Sequence, residues 1–340
     1  MSILIFIIGL SFLIFVHELG HFLAAKRFGL LVEEFGFGFP PRLFGKKIGE
    51  TVYSLNLLPF GGFVKIHGER REAEHDAVPP ARSFWNLPVW KRSFAIGAGV
   101  AMNFFIGWLV ISSVYMIGAP QGIVITEVAP GSPAAEAGLL QGDKILGFKD
   151  TAEFIESVKS KAGAEARFSV ERAGTEQAIS ATPRENPPPG EGALGIALTD
   201  IGFPRLSVFR SFIEGFKEAL NILWAVILAV VNLIRGLFTS APVMDGFVGP
   251  VGVFKVADEA AGFGIAYLLR LIGLISLNLV VLNILPIPAL DGGRLLFLAI
   301  EKIKGAPLSP KREAIANAIG FVLLFLLMIA VTVRDVVKLF

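Results

Sequence analysis

"FVHELGHFLAAKRFG", residues 15–29, places two histidines and a glutamate near the end of an otherwise apolar run. His17 and His21 are four apart, so on a helix both imidazoles leave the same face, one turn apart. That spacing suits two nitrogens on one zinc ion at about 2.0–2.1 Å each. Glu18, one position on, is poorly placed as a third ligand from the same face but close enough to take a proton from a water beside the ion. The pattern is HExxH, two ligands plus a general base. Ionisable groups at bilayer depth cost at least about 2–3 kcal/mol each and mark function. Peptide hydrolysis is the chemistry this set fits, since zinc acidifies water and polarises a carbonyl while a carboxylate moves the proton.

The surroundings support a membrane setting. The chain has 340 residues, 54% hydrophobic and 18% charged, with a mean hydropathy of +0.66. Its formal charge of +2 gives no basis for a nucleic-acid partner. Cysteine is absent, which excludes disulfides and thiolate metal sites. The stretch 1–25 has His17, Glu18 and His21 as its ionisable side chains and lacks a basic start, so it reads as a retained span rather than a signal peptide. A bilayer crossing needs about 20 apolar residues, and 94–118, 271–290 and 314–333 qualify, giving four expected spans. A further stretch, 219–234, is short and bracketed by charge, and is expected to lie in the interface.

Lys26, Arg27, Arg42, Lys46, Lys47, Lys91 and Arg92 gather on one side of the first two spans, which should be cytoplasmic. The section 119–265 then lies outside the cytoplasm, and 294–313 returns to the basic side. The third ligand must be a carboxylate or histidine at the depth of His17. Asp291 in "NILPIPALDGGRLLF", 283–297, follows an uncharged run, although Asp-Gly-Gly is also an ordinary turn sequence. A match in depth requires 271–290 to run inward, so 219–234 must not cross. Pro286 and Pro288 interrupt the helix and leave irregular backbone that must face protein or water. Asn278 and Asn283 supply amides that would hold an extended substrate or bond neighbouring helices. His67 and His75 lie in the polar connection, where a plain solvated role is expected.

"EFGFGFPPRLFG", 34–45, reads as a membrane-associated loop, and 51–68 alternates like one or two strands. Residues 69–84 look like a surface loop. From 119 to about 185 short β-like runs and one helical piece make a small soluble domain, ended by the proline-rich 184–192.

Taken together, "HELGH", "GFGF", "PFGGFVK", "GVAMN" and "NILPIPALDGG" resemble the site-2 protease family (peptidase M50) over nearly the whole chain, most closely the bacterial regulator-of-sigma branch. The resemblance implies an intramembrane zinc metalloprotease with His17, His21 and Asp291 as Zn2+ ligands and Glu18 as base. It assigns Asn283 to substrate handling and Gly36, Phe37 and Gly38 to a membrane-inserted hairpin near the active site; the extended backbone left by Pro286 and Pro288 is expected to bind substrate as well. "VAPGSPAAEAGLLQGDKILGF", 128–148, resembles a PDZ domain, which takes an extended peptide or chain end by strand addition or merely gates access. Many members of the branch carry two such domains and a proline before the second-span asparagine, and this chain departs on both.

The expected architecture is a multi-pass α-helical membrane protein of four spans with a small β element and one inserted α+β PDZ-like domain. Its expected parts are two spans with the GFGF loop and sheet (1–118), an extracytoplasmic PDZ-like domain (119–190), a linker with an interfacial helix (191–264), and two spans with the LDGG motif (265–340). Expected substrates are single-span membrane proteins in the lipid bilayer, such as an anti-sigma factor or a remnant signal peptide, cut near the cytoplasmic face. The competing class is a non-catalytic membrane PDZ scaffold holding a structural metal; a transporter would want charged groups in the other spans.

Overall fold

The computed structural model describes residues 2–69, 79–172, 174–236 and 249–337. His75 and most of the surface loop expected at 69–84 lie outside the described residues. The chain divides into two compact units, Met1–Val114 with Val208–Phe340, and Tyr115–Ser207.

In the first unit α1 (Ser2–Arg27) carries the HExxH motif in its last third. Two long strands, β1 (Val32–Ile48) and β2 (Thr51–Ile66), follow. Each is bent, so that the pair makes four ribbons. Residues 32–37 lie between 62–66 (Val32 opposite Ile66, Gly36 opposite Phe63) and 52–55 (Gly36 opposite Ser54), while 42–48 pairs back onto 51–56. Among the described residues the open edges are therefore 62–66 and 42–48. Asn56, buried, donates from Nδ2 to Gly38 O at 3.1 Å and so fastens the GFGF stretch to its neighbour. His67 is not solvated as the sequence led us to expect. It is 8% exposed, with Nδ1 2.8 Å from Glu33 Oε1, because the chain after β2 turns inward: His67 N donates to Leu31 O and His67 O accepts from Phe84 N.

α2 (Val89–Ile117) begins directly after Pro88. The next helices of this unit are α5 (Val208–Gly236), α6 (Pro250–Gly262), α7 (Ile265–Ile284), α8 (Asp291–Lys304) and α9 (Pro310–Val337). α7 stops earlier than its apolar run, because Pro286 has no N–H to continue it. Among the described residues five helices, α1, α2, α5, α7 and α9, are long and apolar enough to cross a membrane. The additional one is α5: residues 219–234 are part of a 29-residue helix that extends back through Glu218, Lys217 and Glu214. Those charges are tolerated because they share a face, while Phe209, Ile213, Phe216, Leu220 and Trp224 line the other at spacings of three and four. Among the described residues the buried ones of α5 all lie in its first half. Ser211, Gly215 and Ala219 are buried, and Trp108 Nε1 donates to Phe212 O at 2.9 Å.

The basic ends of the helices are tied together. Arg92 of α2 forms a bidentate ion pair with Glu301 of α8 and donates from Nε to Leu87 O at 2.9 Å. Arg294 of α8 pairs with Glu69 at 2.5 Å, and Trp85 Nε1 donates to Glu69 O at 3.1 Å. A core of Ala25, Leu30, Val32, Ile66, Phe84 and Ile96 joins α1, the sheet and α2 beneath these pairs.

The second unit is a five-stranded sheet of order β6-β5-β4-β3-β7 with α3 (Pro133–Glu136) and α4 (Thr151–Ser160). Its strands are β3 (Ala119–Val128), β4 (Lys144–Ile145), β5 (Ala166–Arg172), β6 (Thr175–Ala181) and β7 (Ile196–Phe203). β7 pairs with β3, so the proline-rich 184–192 lies inside the unit rather than at its end. Ile123, Ile125, Phe154, Phe168 and Val170 fill the core.

Asp143, 1% exposed, accepts from Arg172 Nε at 2.7 Å and from Leu140 N at 2.9 Å. The Arg172 guanidinium, aided by the Leu140 amide, holds its carboxyl below the usual aspartate value. Between the folded and unfolded values the unfolded chain binds more protons, so this contribution is present at neutral pH and fades as pH falls below about 4. Asp143→Asn should cost about 2–3 kcal/mol. In limited proteolysis of the full protein, cleavage within 115–207 should rise for the variant at pH 7, and the difference from wild type should narrow as pH falls below about 4.

Candidate metal centre

His17 and His21 are the buried polar residues of a helix face whose remaining members, Leu13, Val16 and Ala24, are apolar. Their Nε2 atoms lie 3.2 Å apart. Asp291 Oδ2 lies 3.1 Å from His17 Nε2 and 3.4 Å from His21 Nε2. Three ligand atoms each about 2.0–2.1 Å from one tetrahedral zinc stand about 3.3 Å apart, so these three fit one ion. Asp291 Oδ2 is also buried without a hydrogen-bond partner, as expected of an atom reserved for a cation. Among the described residues this trio is the group of three or more ligating side chains close enough to share an ion.

Each of these three side chains is placed by local structure. Asp291 opens α8, and the preceding 285–290 is held in an irregular path by Ile287 N donating to Leu285 O and by Ala289 N donating to Asn317 Oδ1 at 3.0 Å. Ala289 has φ 77°, a left-handed conformation that costs a non-glycine residue on the order of 1 kcal/mol. A Cβ at Gly292 would strike the carbonyls of Ile284 and Leu285, so the glycines after Asp291 allow α8 to fold back against this loop.

The histidines are supported from α2 by three positions four residues apart. Ala95 O accepts from His21 Nδ1 at 2.9 Å. At Gly99 a Cβ would overlap His21 Nε2 and stand 2.9 Å from His17 Cε1. The Asn103 amide meets His17 Nδ1 at 3.3 Å. The carboxylate of Glu18 faces a cavity of about 240 Å³ shared with Phe63, Val64, Glu69 and Arg294. The Glu18 Cγ is 3.5 Å from the Cβ position of Gly62, on the open sheet edge.

The structure thus brings His17, Glu18, His21 and Asp291 together. Asn283 ends α7, half-buried, with Pro286 exposed just beyond. Gly36, Phe37 and Gly38 sit in the ribbon behind the open edge rather than on it. Sequence reasoning passed over Arg294, Glu69, Ala95 and Gly99. For Arg294 the signal was a cation three residues after Asp291; for Gly99 there was none, since the clash exists only once α1 and α2 meet.

A second concavity, about 580 Å³ and mostly apolar, lies in the other unit between α4 and the chain entering β7, with Phe154, Ile155, Val158, Leu194 and Ile196 on its walls.

The model for peptidase family M50 matches residues 5–327. The zinc metalloprotease RasP of Geobacillus kaustophilus is 32% identical over 100% of this chain and 98% of its own. The regulator of sigma-W protease RasP of Bacillus subtilis is 30% identical over 100% and 99%. RasP of Shouchella clausii is 31% identical with the same coverage as the Bacillus subtilis protein. The alignments to the first two run over 424 and 429 positions, so these relatives carry residues that the 340-residue chain lacks. The scaffold alternative is set aside by this kinship, for the chain belongs to peptidase family M50 and is a membrane zinc metalloprotease of the site-2 type.

Proposed function

We propose that His17, His21 and Asp291 hold the zinc, that Glu18 is the general base, and that the substrate is a transmembrane segment of a single-span membrane protein. The convergence of three ligand atoms beside Glu18 within an apolar helix carries this reading. Bound zinc supplies Lewis acidity, lowering the pKa of water and polarising the scissile carbonyl. Glu18 accepts the proton from the attacking water and delivers it to the leaving amine nitrogen. Phe63, Val64 and Ile96 line the cavity that Glu18 shares with Glu69 and Arg294.

A helical peptide bond is shielded by its own hydrogen bonds, so the substrate must be extended at the cut. The 62–66 ribbon, paired with 32–37 on one side and next to Glu18, offers strand addition for it. Asn283 and the backbone around Pro286 and Pro288 would hold the other side. The apolar cavity of the 115–207 unit fits a peptide or chain end at a PDZ-like domain. The sigma-W relative favours an anti-sigma factor as substrate over a remnant signal peptide.

We read the basic ends as cytoplasmic, with four crossings: α1, α2, α7 and α9. α5 lies in the interface, apolar stripe toward lipid, because its buried residues Ser211, Gly215 and Ala219 all fall in its first half and its charges share one face. A topology reporter inserted near residue 245 should give the extracytoplasmic signal. A cytoplasmic signal would put α7 in the wrong direction for Asp291 to reach His17. The activity itself is tested with purified protein in lipid and a single-span substrate: zinc-dependent cleavage within the apolar segment, abolished by chelator, is expected, and cutting confined to soluble loops would refute it.

A further inference from the structure

The two histidines need their other ring nitrogens held. An imidazole that gives Nε2 to a metal carries its proton on Nδ1 and must donate it. For His21 the acceptor is unambiguous, since Ala95 O at 2.9 Å can only accept. For His17 the neighbour is the side-chain amide of Asn103, with Nδ2 3.3 Å from Nδ1. An N–H facing an NH2 is donor against donor. At the same time Asn103 is 0% exposed and its Oδ1 has no hydrogen-bond partner. Turning the amide about its last torsion exchanges the two ends at almost no steric cost. Oδ1 then accepts from His17 Nδ1–H, and the buried orphan oxygen gains its donor. The backbone at this point stays in place, because Asn103 O accepts from Ser276 Oγ at 2.8 Å and ties α2 to α7.

We propose that Asn103 is a positioning residue whose Oδ1 accepts the hydrogen bond of His17 Nδ1, fixing the tautomer and ring orientation that present Nε2 to zinc. It acts through His17 and does not touch substrate. The inference rests on His17 being a zinc ligand, as read above.

The test is zinc affinity of the full-length protein in detergent, measured by competition with a chelating indicator, for wild type, His17→Ala, Asn103→Leu and Asn103→Asp. His17→Ala should lose the site; binding as in wild type would refute the ligand assignment itself, and the inference with it. Asn103→Leu keeps the branching at Cγ, in a larger side chain, and removes the acceptor, so affinity should fall about 10–100-fold. Its cleavage activity should return to within about threefold of wild type when zinc is supplied in excess of the weakened affinity, which a packing defect would not permit. Asn103→Asp offers an acceptor only and should bind zinc within about threefold of wild type. Unchanged affinity in the leucine variant, or an aspartate variant as weak as the leucine one, overturns the proposal. If the leucine variant fails to fold, the aspartate variant alone separates acceptor from donor.

Discussion

Glu18→Gln should lower cleavage of a single-span membrane substrate by about 10²–10⁴-fold while zinc content stays at the wild-type value. The substitution preserves shape and hydrogen-bonding length but removes the group that takes a proton. Glu18 lies next to His17 in sequence and faces the same cavity, yet its carboxylate is outside the trio of converging ligand atoms. Metal and activity should therefore separate. Metal analysis on the same preparation used for the assay distinguishes the two effects. Cleavage equal to wild type would remove Glu18 from the chemistry, and loss of zinc together with activity would make it a ligand.

Gly99→Ala should cut zinc affinity by at least about 10-fold without altering a single ligand. A Cβ there overlaps His21 Nε2 and comes within 2.9 Å of His17 Cε1. Because alanine ordinarily favours a helix over glycine by about 0.8–1.0 kcal/mol, α2 itself is not weakened. The loss must come from the displaced imidazoles. Gly97→Ala is the matched control, since its Cβ meets nothing within 4 Å. Chelator competition on the three proteins reads the difference. Equal affinities for Gly97→Ala and Gly99→Ala would mean that α2 does not pack on the metal site as described. Gly20 lies opposite: its Cβ would strike Ala98 O, so the two helices touch backbone to backbone here, as small residues allow in membranes.

Much of this was readable from residue types. The pair four apart in "HELGH", the cost of burying them, and the need for another carboxylate at equal depth led to Asp291, and the structure brings the three together. The long apolar runs announced α1, α2, α7 and α9. α5 was under-read because a count of consecutive uncharged residues misses a helix whose charges sit on one face. His67 was misjudged because its sequence neighbours are polar, whereas its surroundings in space are Leu31, Glu33 and Phe84. Asn103 stood in the quoted "GVAMN" without a role, since nothing near it in the chain indicates which imidazole it meets.

The division follows the range of the forces. Helical periodicity, proline breaks and the metal preference of imidazole and carboxylate act over a few residues, so a linear reading captures the class, the family chemistry and the three side chains, His17, His21 and Asp291, that the fold brings together. The Ala95 carbonyl behind His21, the Asn103 amide beside His17, the glycine between them, the 62–66 edge beside Glu18 and the Arg294–Glu69 tie all join residues far apart in the chain. Such pairings are set by how helices and ribbons close-pack, and close packing has no local signature in the order of the amino acids.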